Sequence, residues 1–425
     1  MRSRRRRAIL AVVLAAIVLA AVVVLVRAIT TQPGAPAPPR GEAPPRASAE
    51  RFLDSVGVNV HVTYLDTAYG HIDDWLARLR ELGVRHVRDG IGLGNAASLP
   101  QLGKVAAAGM RLTLITSLDR PADQQLASVR PLGPAVEAVE APNETDVAGP
   151  SDWAARLQRF MPSLRAAVDA QGSPKPTIIG PSFVQPESWK QVAAVADSWD
   201  VTNLHPYPGG QEPFANLDQE LARAREQGHD GPIMATETGY HNALRATSGQ
   251  PPVSEQAVAA YLPRLLMGYF AAGIERTFLY ELADEKPDAG LAQAEQHFGL
   301  LHADLTPKPA FAAVRDLLQT VRRSDGPGQA RQLRVQAPRD VKSLLLERRD
   351  GSSVLALWRP TSVWNVDGRS ASAVRPVSAT LRFGSPARDV VVSSPGAQSG
   401  RSERRDSAAQ LSVPVAGDLV LVSYR

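Results

Sequence analysis

Short apolar runs and amphipathic stretches alternate through most of the chain. The runs cover 56–62, 84–91, 111–116, 136–141, 176–180, 201–205, 232–236 and 276–282. Each is as long as a buried strand and is bounded by turn-forming residues. Between most of them lie helical patterns, such as IDDWLARLREL over 72–82, closed by Gly83, and the stretches 152–170 and 255–272. Eight strands separated by amphipathic helices over 48–323 predict an α/β fold, a (β/α)8 TIM barrel rather than an open doubly wound sheet. The fifth run follows Ser173-Pro174-Lys175-Pro176, and the helix expected after it, 186–196, is short.

The period changes at the end of the barrel. Over 325–425 the runs 343–348, 353–358, 379–383, 389–393, 409–414 and 418–423 are separated by Gly, Ser, Pro and Asp turns, with few helical periods. This predicts a C-terminal antiparallel β-sandwich domain. Trp358 and Trp364 are expected in its core rather than on a sugar-binding face.

The chain opens differently. Residues 8–26 are an unbroken apolar run, preceded by Arg2 and Arg4 to Arg7 and followed by Arg27. The run is near the ~20 residues of a spanning helix and longer than the roughly 7–15 of a signal-peptide core. Residues 1–28 are therefore expected to be an N-terminal transmembrane anchor or, if cleaved after Ala28, a signal segment. The arginines hold the N-terminus inside, so the rest lies outside, membrane-bound or secreted. Residues 29–47, rich in Pro and Ala, predict an extended linker.

The formal charge of +4 loses its meaning once those arginines are set aside. The remainder is close to neutral, which gives no electrostatic case for nucleic acid. There is no cysteine, which excludes disulfides, thiolate nucleophiles and Cys-bound metals. No His/Asp/Glu spacing indicates a metal, and the glycines after the second run do not fit a dinucleotide fingerprint. No metal and no cofactor is expected.

Candidate chemistry gathers where strands end, because in a β/α barrel those ends ring the pocket. The fourth run, in VEAVEAPNETD over 136–146, breaks at Pro142 and presents Asn143 and Glu144. The seventh, PIMATETG, ends on Glu237, with Tyr240 and His241 beyond it. Strand one offers Asn59 and His61, strand two Arg88 and Asp89, strand six His205 and Tyr207, and strand eight Tyr280 and Glu281. Glu140, inside strand four, is expected to be structural or to support a neighbouring site residue. Two carboxylates on opposite sides of one rim suit cleavage of a glycosidic bond. One protonates the leaving oxygen while the other attacks C1 or activates a water. A single strand-end glutamate would mean little, and Asn143–Glu144 alone could be a turn and helix cap. The weight rests on strands four, six and seven together.

Asn-Glu after strand four, His-x-Tyr at strand six and Thr-Glu at strand seven resemble the clan A retaining β/α-barrel glycoside hydrolases. The chain is most similar there to families 5 and 39, over about 50–323 and more loosely the tail. The resemblance implies Glu144 as acid/base and Glu237 as nucleophile. Asn143 would hold a sugar 2-hydroxyl, Arg88 and Tyr207 would keep Glu237 placed and ionised, and His205 would contact substrate or a catalytic group. One departure concerns the sugar platform. The tryptophan usual at the end of strand eight is replaced by Tyr280-Glu281.

The expected function is retaining hydrolysis of an extracellular or cell-envelope polysaccharide. The alternatives are a non-hydrolysing carbohydrate-binding or wall-organising protein on the same scaffold, and a transglycosylase. The expected partners are a polysaccharide or oligosaccharide, and the membrane through the N-terminal helix.

Overall fold

The computed structural model describes residues 41–226, 231–324, 326–329, 331–396 and 402–425. The expected anchor, 1–28, and most of the expected linker lie outside them. Among the described residues no helix is long and apolar enough to cross a membrane.

Eight parallel strands form the barrel: β1 (Val56–Asn59), β2 (His86–Gly90), β3 (Arg111–Ile115), β4 (Val136–Glu140), β5 (Thr177–Ile179), β6 (Thr202–Leu204), β7 (Ile233–Thr238) and β8 (Ile274–Leu279). They pair in the order β5-β4-β3-β2-β1-β8-β7-β6. A single parallel bridge between Ile179 and Val201 brings the two ends together. The strands read as apolar runs because both faces are covered, the interior by side chains and the exterior by helices. Space inside is tight. A Cβ on Gly57 of β1 would sit 2.4 Å from the ring of Phe278 on β8, so only glycine admits that ring.

The helices follow from the same logic. Helix Ile72–Leu82 buries Ile72, Trp75, Leu76, Leu79 and Leu82 and ends at Gly83, whose φ of 86° suits a residue without a Cβ. Burial of each large apolar side chain stabilises by about 1.5–3 kcal/mol. After β5 the expected helix is replaced by two 3-10 segments, Ser188–Gln191 and Ala193–Ser198. The β-branched Val192 and Val195 sit there with φ near −119° and −116°, outside the helical range.

The C-terminal domain is antiparallel, as expected, but it is one sheet carried round a corner rather than two stacked ones. Its strands are β9 (Leu333–Gln336), β10 (Lys342–Glu347), β11 (Ser353–Trp358), β14 (Val377–Ser393), β15 (Glu403–Val415) and β16 (Val420–Tyr424), with a small hairpin, β12 (Trp364–Asn365) and β13 (Ser370–Ala371). Strand β14 makes the corner. Its first half pairs with β9, its second half with β16, and its register with β15 shifts between Arg382 and Ala387. Arg46–Ser48, at the end of the stretch read as linker, adds an edge strand parallel to β10.

Strand alternation joins the two parts. On β11, Val354, Ala356 and Trp358 enter the core shared with the barrel, whereas Leu355 and Leu357 enter the sheet's own core. Trp358 and Trp364 are buried in the shared core, and the Trp364 indole donates to the Pro252 carbonyl at 3.0 Å. Residues 43–425 form one compact unit.

Candidate active site

Arg88 is the centre of the barrel mouth. It is 2% exposed, and all five of its guanidinium donors are used. Nε and Nη2 grip the two oxygens of Glu140 at 2.7 Å each. Nη1 donates to Glu237 Oε1 at 2.6 Å and to Asn59 Oδ1 at 2.8 Å. Nη2 also donates to Asn143 Oδ1 at 2.8 Å. Burial opposes the charge, but the carboxylates of Glu140 and Glu237 outweigh it and hold the guanidinium pKa above its ordinary value. Glu140, fully buried, also accepts from Asn203 Nδ2 at 2.9 Å, which fits the structural part expected of it.

Removing one partner from a buried pair leaves the other charge unpaired. Arg88→Met is therefore expected to cost about 3–5 kcal/mol of stability. Denaturant titration checks this against Arg223→Met, on a partly exposed pair with Glu220, where about 1 kcal/mol or less is expected.

Glu237 ends the apolar part of β7. Besides Arg88 it accepts from the Tyr207 hydroxyl at 3.0 Å, on Oε2. His205 Nδ1 lies 3.5 Å from the same oxygen. Burial raises the Glu237 pKa, but the charges of His205 and Arg88 and the two hydrogen bonds bring it below the ordinary value. The carboxylate is thus kept ionised in a site that would otherwise protonate it.

Glu144 sits beyond β4 with φ 42°, a left-handed conformation that aims its side chain back over the mouth. It is less enclosed than Glu237, with its side chain 25% exposed. His205 Nδ1 lies 2.7 Å from Glu144 Oε1, and Nε2 lies 3.0 Å from Thr236 Oγ1. The Thr236 hydroxyl has two acceptors for its one proton, Asn203 Oδ1 at 2.7 Å and Glu140 Oε1 at 3.2 Å, so it accepts from His205 Nε2–H. The other ring nitrogen, Nδ1, is thereby fixed against Glu144 Oε1. One oxygen of Glu144, one of Glu237 and a ring nitrogen of His205 all lie within 4.8 Å of one another.

Asn143 has its oxygen turned to Arg88, since a guanidinium only donates, and this leaves the amide NH2 for the cleft. The cleft has a volume of about 710 Å³. Asn59, His61, Arg88, Asn143, Glu144, His205, Tyr207, Glu237 and Tyr280 all line it. Tyr280 packs edge-on against Phe298 and Tyr207 and stands where the tryptophan platform was missing from the sequence.

Three residues expected at the rim, Tyr240, His241 and Glu281, do not line the cleft; the His241 ring is buried, with Nε2 2.6 Å from the Gln250 carbonyl. Tyr240, two residues past the end of β7, points into the packing, where it stacks on Tyr261 and its hydroxyl donates to the Gln211 carbonyl. Glu281 is fully buried behind His61. Several residues that line the cleft were not anticipated. Phe183, Gln185 and Trp189 come from the loop after β5, Glu220 and Arg223 from helix Leu217–Glu226, and Glu295 and Phe298 from the segment after β8. None adjoins a strand end, so no periodic signal marked them.

No protein-family model and no curated protein sequence matches the chain. Solved structures do. The fold is similar to a family 39 glycoside hydrolase from the gut symbiont Bacteroides cellulosilyticus WH2, at TM-score 0.58 and 14% identity, over 90% of this chain and 83% of that one. It is similar to a monomeric beta-xylosidase from Caulobacter crescentus CB15, at TM-score 0.58 and 15% identity, over 91% and 98%. It is also similar to a family 51 arabinofuranosidase from Xanthomonas axonopodis pv. citri, at TM-score 0.56 and 14% identity, over 91% and 98%. The barrel fold is therefore shared with these glycoside hydrolases, as the resemblance in the sequence implied.

Proposed function

We propose that the protein is a retaining glycoside hydrolase acting on a polysaccharide of the cell envelope or extracellular matrix. The observation that carries the reading is the unlike treatment of two neighbouring carboxylates. Glu237 is fixed and ionised by Arg88 and Tyr207, while Glu144 is more exposed and meets only the imidazole of His205. The approach of their oxygens to within 4.8 Å supports the close pair of a retaining enzyme, about 5–5.5 Å, over the roughly 6.5–9.5 Å that an intervening water requires. The glycoside hydrolases named in the neighbouring structures support the same reading.

In this mechanism Glu237 Oε2 or Oε1 attacks the sugar C1 and the bond from C1 to the leaving oxygen breaks. Glu144 gives that oxygen its proton. Water then attacks C1 of the glycosyl ester, Glu144 takes the water's proton, and Glu237 leaves as carboxylate. Asn143 offers its NH2 to the sugar 2-hydroxyl, and the Tyr280 ring provides the platform. Incubation of the full chain with a panel of polysaccharides, reading new reducing ends, tests the proposal. Release from none of them would remove it.

The location proposed is the outer side of the cytoplasmic membrane, tethered through residues 8–26 or released by cleavage after Ala28. A C-terminal reporter that works only outside the cytoplasm is expected to be active. Activity of a cytoplasm-only reporter in its place would overturn this.

A further inference from the structure

Beside the cleft a second cluster of donors has no part in the proposed chemistry. His61, from the loop after β1, and Glu281 and Glu285, from the segment after β8, each place one nitrogen or oxygen within 4.8 Å of the other two. They meet because β1 and β8 are neighbours in the barrel.

Two of the three are already in contact. His61 Nε2 lies at ion-pair distance from Glu281 Oε2, 3.1 Å, without the alignment of a regular hydrogen bond. Glu281 Oε1 is buried without a hydrogen-bond partner among the described residues, although the side chain is fully enclosed. Such an atom is rare in a folded protein and is ordinarily met by a bound water or ion. The other oxygen accepts from the Tyr69 hydroxyl at 2.6 Å, and that hydroxyl accepts from Ala283 N–H at 3.2 Å. This is the kind of outer hydrogen bond that fixes a ligating carboxylate.

We infer that His61, Glu281 and Glu285 form a site for a divalent transition-metal ion, with Zn²⁺ as the best match. One imidazole nitrogen and two carboxylates are a zinc-type donor set, and the two carboxylates neutralise the ion. With tetrahedral metal–donor bonds of about 2.0–2.2 Å, neighbouring donors stand about 3.3–3.6 Å apart, so His61 Nε2 and Glu281 Oε2, at 3.1 Å, need to part only slightly to admit the ion. Three protein donors leave a position for water or a sugar hydroxyl.

The ion clamps the loop after β1 to the segment after β8. Those two pieces already touch through Ala68 N–H to the Glu285 carbonyl at 3.0 Å and through Lys286 and Asp66 at 2.6 Å. Tyr64 stacks on His61 with ring centroids 4.6 Å apart, so fixing His61 fixes an aromatic wall of the cleft.

The test is a calorimetric titration of the untagged full chain, stripped with chelator, with Zn²⁺ alone. Co²⁺ in its place gives an optical readout. No substrate is present, so the result is independent of whether the protein hydrolyses sugars. One equivalent is expected to bind. Glu285→Gln, at a partly exposed position that leaves folding intact, is expected to weaken binding at least tenfold and to change the Co²⁺ spectrum. Glu144→Gln, in the cluster with His205 and Glu237, is expected to leave both unchanged. Absence of stoichiometric binding, binding indifferent to Glu285→Gln, or binding lost in Glu144→Gln would each overturn the inference.

Discussion

Glu237→Gln is expected to reduce turnover by on the order of 10⁴–10⁶-fold on every glycoside, whatever its leaving group. The substitution keeps the shape of the side chain and removes the electron pair that bonds to C1. The surroundings can absorb the change. Arg88 retains its two bonds to Glu140, so its charge stays paired, and the glutamine oxygen can still accept from Nη1. The new NH2 would face Tyr207, whose hydroxyl can turn from donor to acceptor. Thermal unfolding should therefore move little compared with Arg88→Met. The pairing of a large kinetic loss with a small stability change is the diagnostic result. If Glu237→Gln retains activity on an activated aryl glycoside, Glu237 is not the nucleophile.

How far this site could be read from the chain depends on how each residue is held. Strand ends were readable because a buried parallel strand is apolar along its whole length, so the first polar residues after it mark the rim. That rule found Asn143, Glu144, His205, Tyr207 and Tyr280 past their strands, and with them Arg88 and Glu237, polar residues inside β2 and β7, all of which line one cleft. It failed where direction mattered more than position. Tyr240 lies just past the end of β7, and only the three-dimensional path shows that its ring goes to Tyr261. It also failed for contacts between distant segments. Arg46–Ser48 pairs with β10 about three hundred residues later, and a Pro-rich stretch carries no sign of that partner. The grouping of His61 with Glu281 and Glu285 is of the same kind, since it exists only because the barrel closes β8 onto β1. The loop after β5 shows a third limit. Trp189 reaches the cleft from 3-10 turns, a geometry with no clear periodic signature.

Glu144→Ala is expected to split substrates by leaving group. On a natural glycoside the leaving oxygen needs a proton, and loss of the acid should cost about 10²–10⁴-fold. An activated aryl group leaves without one, so the glycosyl ester on Glu237 should still form at a much smaller penalty. It should then persist, because no base remains to draw a proton from water. His205 is not expected to take over that task, because its Nδ1 is held 2.7 Å from Glu144 Oε1 and 3.5 Å from Glu237 Oε2, where a water poised for C1 is not placed by it alone. The alanine leaves space at a partly exposed position, and a small anion such as azide can enter it. Azide needs no base, so it should attack C1, release Glu237 and restore turnover on the activated substrate. The product of a β-glycoside should be the β-azide, since two inversions retain configuration. Rates of the variant on one natural and one activated glycoside, with and without azide, read this out. Equal losses on both substrates and no response to azide would assign Glu144 another role. An α-azide from the β-glycoside would replace the double displacement with a single one.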